Sequence, residues 1–167
     1  MKYSNQLNKN IEKIYDYYEN HDSLEFLQRI MTFIDDCIDL IDEELFLLPK
    51  TEVNAFRESA RKVWIEDGSA QKLSAIELEY QNRVFQIKPH RELMEIKKEY
   101  AAFRAVGWYL SNYHDDPTNQ FVHDFIELFV SDLANAGVAE KMVENAVARH
   151  FHDVVETWIV KYSDYDQ

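Results

Sequence analysis

Residues 22–48 read DSLEFLQRIMTFIDDCIDLIDEELFLL, with no glycine or proline. Leu27, Ile30, Ile34, Ile38, Ile41, Leu45 and Leu48 recur every three or four positions, the spacing of one helix face. Phe26, Phe33, Leu40 and Leu47 add a second row beside them. The joint apolar sector is wider than a surface helix needs, so it predicts a central helix covered on more than one side. Asp22, with Glu25 three residues on, has the pattern of a capping box at its start. What is left is a narrow acidic strip of Asp35, Asp36, Asp39, Asp42 and Glu43.

Outside this stretch the chain is cut by very few residues. Pro49, Gly68, Pro89, Pro117 and Gly137, with a break near Asn20–Asp22, leave segments of about helix length. The first, roughly 4–19, places Leu7, Ile11, Ile14 and Tyr18 on one face. Thr51 caps a third segment, with Val53, Phe56, Ala60, Val63 and Trp64 inward, and Ser69 caps a fourth, with Leu73, Ile76, Tyr80, Val84 and Ile87. The end of the fourth, Arg83 to Lys88, alternates like a strand, but no second strand-like run exists to pair with it, so it is read as helix. A fifth segment, about 90–113, is apolar at Leu93, Ile96, Tyr100, Phe103, Gly107 and Leu110. A glycine inside a helix costs about 1 kcal/mol against alanine, so Gly107 is expected where another helix comes close. Asp116–Pro117 opens a sixth helix, with Phe121, Phe125, Ile126, Phe129 and Leu133 inward, and Gly137 closes it. The seventh carries Val143, Val147, Phe151, Val154, Val155, Trp158 and Tyr162. The expected fold class is all-α: one domain over residues 1–167, a multi-helix bundle or short helical stack of about seven helices with antiparallel neighbours.

A chain of 167 residues can bury roughly 70% of its unfolded surface without a disulfide or a metal. The single cysteine, Cys37, sits on the apolar side of the central stretch and argues against an oxidised, stapled scaffold. No apolar leader and no run of eighteen apolar residues is present, so a cytoplasmic protein with no membrane span is expected. The net charge of −13 is uneven: −6 over residues 1–50, +1 over 51–110 and −8 over 111–167. Such a chain repels phosphate backbones and anionic lipid and attracts basic partners.

Two stretches share the pattern apolar-His-Asp-apolar-apolar-Glu, Val122–Glu127 and Phe151–Glu156. His123 with Glu127, and His152 with Glu156, are four residues apart, so each pair shares a helix face and the two pairs are candidate metal ligands. Both fall on polar flanks, where the plainer reading is a pair of solvent-facing helix contacts. The order His90, His123-Asp124, Asp153 is similar to the His…His-Asp…Asp set of helical metal-dependent phosphohydrolases, but these are common residues at ordinary spacing and assign no family. Asp35-Asp36-Cys37-Ile38-Asp39 has the DDxxD form that holds Mg²⁺ in helical prenyl-transferring enzymes. No second acidic motif faces it, and an exposed acidic face is the expectation. Glycine-rich phosphate loops, nucleophile elbows and paired-cysteine zinc motifs are absent. Tyr17, Tyr109, Tyr113 and Tyr165 lie off the apolar stripes and are candidates for an interface.

These features favour a small acidic protein-binding module without cofactor, metal or catalytic residues. Its most concrete form is an antidote, or immunity-type, protein that blocks a basic toxin such as a nuclease. Asp35, Asp36, Asp39, Asp42 and Glu43 are the expected partner-binding residues, because no lysine or arginine lies between residues 30 and 49 to offset them. The competing account is that arginine or lysine from the balanced middle segment folds over the strip and neutralises it internally. The alternative function is a small helical hydrolase built on the His-Asp pairs, with His123, Glu127, His152 and Glu156 as metal ligands.

Overall fold

The computed structural model describes residues 2–20, 24–67, 70–111 and 125–163. These form eight α-helices and no strand: α1 Asn5–Asn20, α2 Leu24–Ile38, α3 Lys50–Lys62, α4 Ala70–Ile87, α5 His90–Met94, α6 Lys97–Leu110, α7 Phe125–Asn135 and α8 Glu140–Ser163. The all-α expectation holds, including the strand-like tail of α4, which stays helical to Ile87. α1 packs on α7 and α8, and α2 on α6 and α8. α6 reaches α2, α3, α4, α5 and α7, so it shares the central place that the sequence assigned to α2 alone. Buried residues from all eight helices belong to one continuous core.

The central stretch is helical for only part of its length. α2 stops at Ile38, and the chain then turns through Asp39–Leu40 into a short 3₁₀ turn, Glu43–Leu45. Ile41 and Leu48 are buried nonetheless, so the stripe continues into the core without the helix. The four carbonyls that end α2 are all satisfied. Asp36, Cys37 and Ile38 accept from Asp39, Leu40 and Ile41 in tight i→i+3 turns, and the Asp35 carbonyl accepts from Arg57 Nη2 at 2.7 Å. Aromatic rings fill the space between α2, α7 and α8: Phe33 meets Phe151 edge-on at 5.3 Å and Phe129 at 6.4 Å.

Two further boundaries differ from the reading of the sequence. The segment expected over 90–113 breaks at Glu95–Ile96 into α5 and α6. The buried residues of α6 are Ala101, Ala102, Ala105, Val106, Trp108, Tyr109 and Leu110, while Tyr100, Phe103 and Gly107 are only half-buried. Short alanine side chains let neighbouring helices approach, and a reading weighted toward large apolar residues overlooks them. Gly107 is not a close-packing site: a Cβ built there has nothing within 4 Å. α8 is broken at Phe151, whose backbone (φ −132°, ψ 25°) leaves the helix. The cause is Arg29 of α2, whose Nε donates to the His150 carbonyl at 2.7 Å while its guanidinium grips the Asp153 carboxylate. A side chain inserted into the i→i−4 ladder kinks a helix in this way.

Gly137 does close α7 as expected. It takes φ 88°, and Val138 N–H reaches the Leu133 carbonyl while Gly137 N–H reaches Ala134, the bonds of a Schellman turn. Tyr3 Oη donates to the Val138 carbonyl at 2.8 Å and so ties the start of the chain to this turn. Asp116–Pro117 and the caps at Asp22 and Ser69 lie outside the described residues.

Two outcomes follow for stability. Ile34→Ala and Ile38→Ala, both fully buried on α2, are expected to lower the urea unfolding free energy by about 2–5 kcal/mol each. Gly107→Ala should raise it by up to about 1 kcal/mol, because the helix gains propensity and no neighbour must move.

Candidate functional site

The acidic residues singled out in the sequence are separated by the fold into three environments. Asp35 is in the core, 7% exposed, and so is not part of an outward strip. Arg57 and Arg61 stand one turn apart on α3 and both reach back to it. Arg57 Nε donates to Asp35 Oδ1 at 2.8 Å and Arg61 Nε to Oδ2 at 3.2 Å, so both carboxylate oxygens are engaged. Arg57 Nη1 continues to Asp39 Oδ1 at 2.7 Å and to Asn54 Oδ1 at 3.0 Å. Burial works against the charge on Arg57, but its hydrogen bond to Asp39 and the proximity of Asp35 outweigh it and hold its pKa above the ordinary value. The internal neutralisation weighed against a partner site is therefore present for Asp35, and it comes from the balanced middle of the chain.

Asp36 faces the other way. Its Oδ2 lies 2.6 Å from His150 Nε2 on α8, next to the Arg29 contact that breaks that helix. Asp39, Asp42, Glu43 and Glu44 remain exposed on the turn between α2 and α3. Since α2 ends at Ile38, Asp42 and Glu43 do not continue a helical seam, and Glu44 joins them. Asp42 Oδ1 accepts from Glu44 N–H at 3.0 Å and caps the 3₁₀ turn, while Glu43 faces Lys50 at 3.6 Å. The exposed group is thus a short, hydrogen-bonded acidic turn mounted on a buried arginine.

The other candidates fall elsewhere. Glu127 is exposed and lines a shallow groove of about 350 Å³ between α1 and α7, beside Lys2, Asn8 and Glu12. His152 is exposed on α8, and His123 and the Glu156 side chain lie outside the described residues. Of the phosphohydrolase-like set, His90 packs against Phe85 and Tyr100, Asp153 holds Arg29, and His123 and Asp124 are outside the described residues. Among the described residues no group of three or more His, Cys, Asp or Glu is placed to hold a metal ion. Burial pushes the Cys37 thiol up to about 12, with Asp36 adding to the effect. Tyr109 is not an interface residue: it is buried, and its carbonyl accepts from Trp64 Nε1 at 3.0 Å. Tyr17 lies half-buried against Phe26, and Tyr113 and Tyr165 are outside the described residues.

Polar features that the sequence reading missed cluster around α6. Asp132 of α7 is buried, accepts from Trp108 Nε1 at 2.8 Å and faces Arg104 Nε at 3.4 Å. Burial raises its pKa, against the lowering effects of Trp108 and Arg104. An aspartate on an otherwise apolar face of α7, with a partner tryptophan, was the available signal. Among the described residues no helix is long and apolar enough to cross a membrane. Comparison with protein families, curated proteins and solved structures gives no match to this chain.

The division of the acids has a direct consequence for stability. Asp35→Ala strips the buried Arg57 of its main partner and is expected to cost about 3 kcal/mol or more in urea unfolding. Glu43→Ala, at an exposed pair, should stay within about 0.5 kcal/mol.

Proposed function

We propose that the protein is a non-catalytic acidic binding module whose contact surface is centred on the turn bearing Asp39, Asp42, Glu43 and Glu44. The observation that carries this reading is the turn itself. Four carboxylates stand exposed in six residues, with Lys50 and the shared Arg57 as the cations beside them, on a chain of net charge −13. Asp35, buried on its arginines, and Asp36, hydrogen-bonded to His150, serve the scaffold in this proposal and leave the partner to the turn.

Charge of this kind steers a basic partner and fixes its orientation, while tight holding needs buried contacts that form on docking. A toxin that grips phosphate, such as a nuclease, must present a cationic surface, and an acidic module seated there denies it the nucleic acid. An antidote to such a toxin is the concrete form of the proposal. The acidic turn is pre-ordered by the Asp42 cap and by the Arg57 mount on Asp39, which reduces the ordering penalty on binding.

The test begins by capturing partners with the tagged protein and measuring association of the purified pair. A basic partner is expected, with an on-rate that falls as salt rises. Asp42→Asn, Glu43→Gln and Glu44→Gln combined should slow association by about tenfold or more while the helical circular dichroism is unchanged. A captured toxin should lose activity at one equivalent of this protein. A partner without a basic face, or an unchanged on-rate in the triple variant, overturns the assignment.

A further inference from the structure

A second place on the molecule carries chemistry unrelated to the acidic turn. α4 and α6 flank a groove of about 240 Å³. Gly107 lies on it, half-buried, with nothing within 4 Å of where a Cβ would stand. A glycine inside a helix is disfavoured, and here no turn, positive φ or close helix requires one. What its missing side chain does preserve is the open floor of this groove.

The groove has unlike charges that do not meet. Glu77 of α4 is half-buried, takes a hydrogen bond from the Gln81 amide at 3.3 Å, and has no cation within ion-pair distance among the described residues. Burial without a compensating cation pushes its pKa up. Arg104 of α6 lies over the Tyr100 ring at 5.8 Å, with Nε 3.4 Å from Asp132. Its two terminal nitrogens donate to nothing among the described residues. Asp132 is itself fixed by the Trp108 indole, so Arg104 is backed by a buried, oriented carboxylate. The same groove is lined by the aromatic side chains of Tyr100, Phe103 and Trp108.

We infer that this groove binds a small zwitterion with an apolar body, a free apolar α-amino acid, with its ammonium on Glu77 and its carboxylate on Arg104. A simple carboxylate would satisfy Arg104 and be repelled by Glu77; a simple amine would do the reverse. A molecule that carries both charges answers both walls, and its apolar side chain would lie on the aromatic floor. Charge-assisted hydrogen bonds at both ends give selectivity for the uncapped molecule.

Titration of the isotope-labelled full chain tests this by heteronuclear NMR, with L-phenylalanine, L-leucine and L-methionine as probes. Saturable shifts of the Gly107 amide and the Trp108 indole are expected in the millimolar range or below, about the affinity a few such contacts supply. N-acetyl-L-phenylalanine and L-phenylalaninamide, each lacking one charge, should bind about tenfold or more weakly than L-phenylalanine. Glu77→Gln should weaken L-phenylalanine by a similar factor and leave the N-acetyl derivative no weaker than before. Gly107→Leu, which fills the floor with a good helix former, should abolish the shift at the Trp108 indole with the thermal midpoint kept or raised. No saturable response to any of the three amino acids overturns the inference. So does equal binding of the capped forms, or undiminished binding in Gly107→Leu.

Discussion

The pairing of Asp35 with Arg57 and Arg61 is the contact on which the rest of this architecture depends. It joins the end of α2 to α3 across a turn, inside the core, using both carboxylate oxygens and the backbone carbonyl of one residue. Desolvating a carboxylate and a guanidinium is expensive, and the attraction between them repays it only where geometry is good and further hydrogen bonds complete both groups. Here Asn54 and Asp39 complete Arg57. The positive charge also sits at the C-terminal end of α2, where the helix dipole favours it. An apolar contact between α2 and α3 could have supplied comparable stability, but it would not fix which turn of one helix faces which turn of the other.

A similar logic governs the opposite side of α2. Arg29 takes the His150 carbonyl out of the α8 ladder and holds Asp153 beyond it, and Asp36 reaches His150 from the same helix. The break at Phe151 lets that ring turn in against Phe33 and Phe26. Polar groups on α2 therefore set the path of both α3 and α8, while its isoleucines supply the buried area. The apolar stripe makes the helix stick, and the charged residues decide how its neighbours are oriented upon it.

This arrangement changes what the strong acidity of the chain means. Part of the negative charge around α2 is structural and already answered by arginine, one carboxylate is hydrogen-bonded to His150, and part stands on the turn that follows. Exposed carboxylates that have been ordered by a buried mount are better suited to recognition than the same charges on a mobile surface, because less order is lost on binding. The groove between α4 and α6 has a different character, with one charge of each sign and an aromatic floor. The two places differ in chemistry and lie on different elements, so a macromolecular partner and a small ligand would not compete for the same side chains.

The sequence by itself determined the helical class, most inward faces and several helix ends. Leu7, Ile11 and Ile14, Ile30, Ile34 and Ile38, and Val143 and Val147 are all buried where their spacing places them, because a 3.6-residue period must turn one face inward. Gly137 was equally legible, since a left-handed helix stop favours glycine. The early end of α2 was not, because Asp39 to Leu48 keeps an apolar rhythm that a buried turn satisfies as well as a helix does. Nor was the burial of Asp35, which resembles its exposed neighbours in type and spacing. Its partners lie 22 and 26 residues further along the chain. The kink at Phe151 depends in the same way on Arg29, 121 residues from the carbonyl it takes. Local spacing decides which face of a helix is greasy; only the assembled fold decides which charged group another part of the chain will come to meet.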